Sequence, residues 1–212
     1  MPNQARVPRP IEALLFDVGG VLSQDRVEDK LADLARKYGV SYERLIAVKD
    51  PIRLDADLGR LSDAEFWQRT LATVGVDATE EDVDIEPYLA EVPGTLEVVR
   101  ALHGRVRLGI LSNDSRELSS ARRRRHGFDQ LFDPIIISAH IGLVKPGREI
   151  YHHALQRLGV AAERCLFVDN REDNVAAARA CGLRALRFTT AARLAEDLAA
   201  FEWVAPPDDG DR

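Results

Sequence analysis

The chain predicts an α/β fold: a parallel sheet of about five strands with helices on both faces, and a helical segment inserted after the first strand. Three observations carry this expectation. Short, almost wholly apolar runs recur with helical patterns between them, as strands buried on both faces and joined by crossover helices require. Residues 23 to 90 instead carry apolar side chains at helical spacing and no strand pattern. Each strand-like run also ends in polar or acidic residues, on the edge where open α/β sheets bind ligands.

Composition bounds the possibilities. With 212 residues, 45% hydrophobic and 30% charged, the chain can bury one core and a small inserted module. A net charge of −6 argues against non-specific nucleic-acid binding. No apolar run approaches the length that spans a bilayer, so neither nucleic acid nor membrane is an expected partner and the expected location is cytoplasmic. Cys165 and Cys181 offer neither a disulfide framework nor zinc spacing and read as reduced, buried small residues. Nothing in the pattern fixes an oligomeric state.

In chain order, Ile11 to Phe16 is the first strand. Asp17 follows at its end, and Gly19 and Gly20 let the backbone turn tightly and approach a ligand closely. At this point Asp17 reads equally as a turn or capping acid and as a group placed for chemistry. Helices follow, with Leu31, Leu34, Ala35 and Tyr38, then Tyr42, Leu45 and Ile46, then Phe66, Trp67 and Leu71 on their apolar stripes. Gly39, Asp50-Pro51, Gly59 and Gly75 punctuate them; Ser41 and Ser62 are expected N-caps, and Glu65 completes a capping box with Ser62. Val92 to Thr95 marks the return to the core, and a helix with Leu96, Val99 and Leu102 leads to a second strand, Val106 to Leu111. The later strands are Pro134 to Ser138, Cys165 to Val168 and Arg184 to Phe188, with helices near Arg148 to Leu158 and Asn174 to Ala180. This divides the chain into a core of residues 1–22 and 92–200, a helical insert of residues 23–91, and a flexible tail of residues 201–212, the last on its Pro-Pro-Asp-Asp-Gly composition.

The strand ends bring the chemistry together. Asp17 ends the first strand, Ser112-Asn113-Asp114 the second and Asp169-Asn170 the fourth, while Lys145-Pro146 lies just beyond the third. One edge thus receives an anionic nucleophile candidate, a hydroxyl, an ammonium and further acids, the inventory that phosphoryl transfer needs together with a divalent cation.

These motifs resemble those of the haloacid dehalogenase-like hydrolase superfamily: FDVGGVL at Phe16 to Leu22, LSND at Leu111 to Asp114, KPGREIY at Lys145 to Tyr151 and FVDNREDN at Phe167 to Asn174. The resemblance runs from about Ile11 to Phe188 and is with the helical-cap, phosphatase-like branch; GRLSDAEFW at Gly59 to Trp67 is similar to the cap of its phosphatases. It implies a Rossmann-like three-layer core, residues 23–91 as the cap, and magnesium-dependent hydrolysis of a small phosphorylated molecule through an aspartyl-phosphate. It further implies Asp17 as nucleophile, Ser112, Asn113, Lys145 and Gly20 as phosphate-binding residues, and a Mg2+ site drawn from Asp17, Gly19, Asp169, Asn170 and Asp173.

Two departures shape the functional expectation. Phosphatases of this superfamily usually carry an acid/base Asp two residues after the nucleophile, and Gly19 stands there. Gly19 keeps the backbone carbonyl that serves the metal but cannot transfer a proton, so a slow enzyme is expected, since general acid–base help is worth about 10² to 10⁴ in rate. Where many relatives have Asp-Asp, this chain has Asp169-Asn170, and a neutral amide is a poorer magnesium ligand. Asp173 is either a relief ligand or a first-turn acid of the next helix.

Arg122 to Arg125 read as a solvated helix face, and the histidines show no metal-ligand spacing. Ser112 lacks the Gly-x-Ser-x-Gly elbow of a hydrolase triad. A phosphatase of a small soluble phosphomonoester, with sugar phosphates among the candidates, is the leading expectation. A catalytically impaired binding or regulatory protein and a metal-independent 2-haloacid dehalogenase are the alternatives.

Overall fold

Successive residues of the first strand face opposite sides of the sheet, and both sides are buried. In the computed structural model, which describes residues 9–24 and 26–206, β1 (Ala13–Phe16) lies at the centre. The other strands are β2 (Arg107–Ser112), β3 (Ile135–Ile137), β4 (Cys165–Asp169) and β5 (Arg184–Arg187). All pairings are parallel, in the order β3-β2-β1-β4-β5. The helices, in chain order, are α1 (Val27–Tyr38), α2 (Tyr42–Asp57), α3 (Asp63–Ala72), α4 (Glu80–Val83), α5 (Thr95–Leu102), α6 (Arg116–His126), α7 (Ser138–Ile141), α8 (Arg148–Leu158), α9 (Glu172–Ala180) and α10 (Ala191–Leu198).

Leu14, Phe16, Ile110 and Val168 meet Leu96 and Val99 of α5 and Leu194 and Leu198 of α10 on one face. Ala13, Leu15, Leu111 and Phe167 meet Ile150 and Ala154 of α8 and Val175 and Ala178 of α9 on the other. Hence the strands read as continuous apolar runs, and the three layers are those of a Rossmann-like α/β fold. The register matters for the site. Phe16 is level with Ile110 on one side and Val168 on the other, so the residues that follow, above all Asp17 and Asp169, emerge side by side at the carboxyl edge.

A third apolar cluster belongs to α1, α2 and α3: Leu31, Leu34, Leu45, Phe66, Trp67 and Leu71 pack together and against Leu118 and Ala121 of α6. The chain enters and leaves this helical layer as a paired ribbon, with Ser23 bridged to Glu91, Gln24 N–H bonded to the Ala90 carbonyl (2.8 Å) and Val92 N–H to the Leu22 carbonyl (3.2 Å). Ser41 and Ser62 cap α2 and α3 as the sequence predicts, the latter in a complete capping box with Glu65. At Gly59 the layer meets the core so closely that a Cβ would lie 2.3 Å from the Ala139 carbonyl; Arg116 Nη1 donates to the Gly59 carbonyl there (2.8 Å).

Two expectations are corrected. Asp50-Pro51 does not break a helix: α2 runs unbroken through Pro51. Ala47, whose carbonyl the missing N–H would have served, and Pro51 both lie on the exposed side, where solvent takes the bond's place, while the other side of α2 packs on α1 and α3. Residues 201–206 are not a loose tail, because Ile11 pairs with Trp203, Val204 N–H bonds the Ile11 carbonyl (2.8 Å), and Phe201 and Trp203 pack on the core. The rest of that segment, residues 207–212, lies outside the described residues. No helix among the described residues is long and apolar enough to cross a membrane.

Candidate active site

Asp17 leaves β1 with its backbone still in the sheet, its N–H bonded to the Val168 carbonyl at 2.9 Å. The residue is only 6% exposed. Lys145 reaches it from the turn before α8, with Nζ 2.8 Å from Asp17 Oδ1 and 2.7 Å from Asp169 Oδ2. Asp169 is further held by Asn174 Nδ2 on Oδ2 (3.0 Å) and by the Arg171 N–H on Oδ1 (2.8 Å). Burial raises the Asp17 pKa to about 6, against the pull of Lys145 and with a further push from Asp169. Burial would lower the pKa of Lys145, but the two carboxylates outweigh it and hold the ammonium above its usual value. The three groups sum to one negative charge in a water-poor setting.

The backbone beyond Asp17 wraps around the Val18 carbonyl, which accepts from the N–H groups of Val21, Leu22 and Ser23. Gly20 sits in this turn at φ +75°, and a Cβ there would lie 2.3 Å from Asn170 Nδ2, so only glycine lets the turn close on the fourth motif. Asn170 Oδ1 is buried and has no hydrogen-bond partner among the described residues; the same holds for Ser112 Oγ at the end of β2. Such orphaned buried oxygens are rare without a ligand or solvent to serve them.

Asn113 lines the cavity, but its side chain is engaged elsewhere. Its amide clasps the backbone of Lys145, donating from Nδ2 to the carbonyl (2.9 Å) and accepting on Oδ1 from the N–H (2.8 Å). It thereby fixes the loop that carries the lysine, and it reaches the phosphate-sized space only as lining. Asp173 is likewise placed away from the site: Arg171 holds it with Nε (3.1 Å) and Nη2 (2.8 Å), and it is not among the lining residues. This pairing keeps its carboxyl below the usual range.

A cavity of about 370 Å³ opens above these groups. Its floor is Asp17, Gly19, Lys145, Asn170 and Asn174, and its opposite wall is one face of α2, with Lys49, Arg53, Leu54 and Asp57. Leu54, 48% exposed, stands on that wall. Between wall and floor lies a buried charge cluster. Asp114, 1% exposed, receives Arg122 Nη1 on both oxygens (3.0 and 2.9 Å) and Arg53 Nη2 at 3.3 Å. Arg53 Nε also pairs with Asp57 Oδ1 at 2.9 Å. Arg122 is therefore not part of a solvated face, although Arg123 and Arg124 are, pairing on the surface with Asp129 and Glu86. One signal of this was in the sequence: Arg122 follows Leu118 by four residues and shares its inward face. For Arg53, Asp57 and Asn174 the sequence held no comparable mark.

The haloacid dehalogenase-like hydrolase family model matches residues 11–182. Among curated relatives, pyrimidine 5'-nucleotidase YjjG of Escherichia coli is 31% identical over 126 residues, 53% of this chain and 54% of that protein. Sesquiterpene phosphatase astK of Aspergillus oryzae is 40% identical over 67 residues, 32% of this chain and 34% of that protein. The chain thus spans about half of the first and a third of the second. Phosphatase MT3486 of Mycobacterium tuberculosis is 33% identical over 188 residues, 82% of this chain and 86% of that one. Of solved structures, a family enzyme of Bacteroides thetaiotaomicron in complex with magnesium and inorganic phosphate superposes with a TM-score of 0.69, at 19% identity over 85% of this chain and 95% of that one. L-2-haloacid dehalogenase of Xanthobacter autotrophicus superposes at 0.66, with 24% identity over 90% and 83%. These two likenesses speak to the fold.

Proposed function

The chain belongs to the haloacid dehalogenase-like hydrolase family, and on that premise we propose that it is a magnesium-dependent phosphatase, acting on a small soluble phosphomonoester in the cytoplasm through an aspartyl-phosphate on Asp17. The observation that carries this reading is the pair of Asp17 and Lys145 on the floor of a 370 Å³ cavity, tied to the fully buried Asp169 beneath them, with the orphaned Ser112 Oγ close by in sequence to the Asn113 clasp. A phosphatase of Mycobacterium tuberculosis that aligns over most of both chains supports it. We read residues 23–91 as the cap, whose α2 face closes the cavity over the core.

The donor set fits magnesium. Asn170 Oδ1 is a buried oxygen with no partner among the described residues, and Asp17 and Gly19 line the same cavity as Asn170. Asp169 is more fully engaged, its oxygens already accepting from Lys145, Asn174 and Arg171, so its part is to anchor the others. Magnesium commonly takes one or two carboxylates and keeps several waters, which this set allows. Bound there, the ion would offset the charge of the phosphoryl group and polarise it.

The chain's own groups account for the rest. The Asp17 carboxylate, ionised above about pH 6, attacks phosphorus. The Lys145 ammonium and the Ser112 hydroxyl donate to the equatorial oxygens, where charge accumulates. Water then attacks the aspartyl-phosphate, freeing phosphate and restoring Asp17. The test is a panel of phosphomonoesters, including sugar phosphates, run with magnesium and with chelator and repeated with Asp17→Asn. Turnover that survives the chelator, or that appears with 2-chloropropionate and with no phosphate ester, would overturn the reading.

A further inference from the structure

We propose that Asp57, on the α2 wall of the cavity, donates the proton to the leaving oxygen and so fills the role that Gly19 cannot; this rests on the phosphatase reading above. In-line displacement by Asp17 puts the leaving oxygen on the far side of phosphorus from the floor, toward α2. Asp57 lines the same cavity as Asp17, from α2 and not from the sheet edge, so its carboxyl belongs to the side toward which that oxygen leaves.

Among the described residues, three carboxyls besides Asp17 line this cavity. Asp114 has its oxygens taken up by two guanidinium groups, Arg122 and Arg53. Asp50 is 85% exposed, beside Lys49 at the edge of the cavity. Asp57 is different, with a side chain only 14% exposed and Arg53 as its one close cationic partner. The charges that face it are Arg53 from its own helix, Asp63 from α3 and Asp114 from the β2–α6 turn, with Arg122 behind Asp114. Burial is the largest influence and outweighs Arg53, while Asp114 and Asp63 push the same way, so its pKa rises to about 6. A general acid works best when its pKa lies near the operating pH.

The steps balance. An Asp17 oxygen forms a bond to phosphorus as the ester P–O bond breaks, its electron pair staying on the ester oxygen. That oxygen takes the Asp57 proton and leaves as the alcohol. The Asp57 carboxylate then accepts a proton from the water whose oxygen attacks the aspartyl-phosphate. The Asp17–phosphorus bond breaks, its pair returning to Asp17, and phosphate departs with Asp57 again protonated.

The test compares p-nitrophenyl, phenyl and benzyl phosphate, in order of increasing need for protonation, with wild type, Asp57→Asn and Asp57→Glu in magnesium. Asp57→Asn should lose about 10² to 10⁴ in kcat/KM on benzyl phosphate and less than tenfold on p-nitrophenyl phosphate, and Asp57→Glu should recover part of the loss. In the wild type alone, the ratio of p-nitrophenyl to benzyl turnover should climb as pH rises through 6, a readout that needs no variant to fold. Equal losses on all three esters would make Asp57 only a support for Arg53, and a flat ratio across pH would remove the proton donor; either overturns the proposal. A folded wild type that turns over none of the three esters would instead overturn the phosphatase reading beneath it.

Discussion

Replacing Asp57 by asparagine should stabilise the protein at neutral pH even as it impairs turnover. In the folded state burial raises the Asp57 pKa from 3.8 to about 6, so the fold prefers the neutral acid to the carboxylate. The stability associated with this group is therefore fully present below about pH 4 and is lost as pH rises through 6. Asparagine copies the neutral form, can still accept from Arg53 Nε, and does not titrate. At 1.36 kcal/mol per unit, a shift of this size gives the variant an advantage of about 3 kcal/mol at pH 8, falling to about 1 kcal/mol at pH 4.5. Because the side chain is only 14% exposed, solvent screening takes little from that figure. In a chain of this length it corresponds to a melting-temperature gain of about 6 to 12 °C. Urea and thermal unfolding of both proteins between pH 4.5 and 8 would measure it. An offset independent of pH, or a variant less stable at pH 8, would mean that the Arg53 pair outweighs desolvation and that the acid is not held neutral. A residue that costs stability where the enzyme works is what a catalytic position leads one to expect.

Asp17→Asn should leave the fold intact and reduce turnover of every phosphate ester to background, because it keeps the shape and removes the nucleophile; full activity in a discontinuous phosphate assay would refute the assignment. Asn170→Asp should tighten magnesium binding by about tenfold or more in calorimetry without phosphate, since a second carboxylate joins a charge-poor set; no gain would show that Asn170 is not a ligand. Arg122→Met should cost about 3 kcal/mol or more in urea unfolding, because it leaves the buried Asp114 carboxylate to Arg53 alone; a neutral result would mean that the pair is not buried in solution.

The strands and the polar residues at their ends were legible in the chain because each rests on local pattern. Short apolar runs without polar alternation, recurring between helical patterns, fit strands covered on both faces, and Asp17, Asp169 and the Ser112-Asn113 pair stand at the ends of such runs. Ser62 and Glu65 announced a helix start because the cap is a contact between residues three apart. What misled was also local. Asp50-Pro51 carries the mark of a break, yet the packing of α2 on α1 and α3 outweighs one lost hydrogen bond on its exposed side.

The other half of the site exists only through the tertiary structure. Lys49, Arg53 and Asp57 recur at four-residue intervals on a helix rich in charge, a pattern identical to that of a solvated face. They become a wall because the helical layer docks on α6 and on the Ala139 turn, closing contacts between residues tens of positions apart. Desolvation follows from that docking and from nothing in the local sequence, and it raises Asp57 as well as Asp17. The chain by itself determined the fold and placed a glycine, which has no proton to give, at position 19. Tertiary burial decided which of many carboxylates could hold a proton near neutral pH, because the energy of a charge depends on what surrounds it and not on its neighbours in the chain.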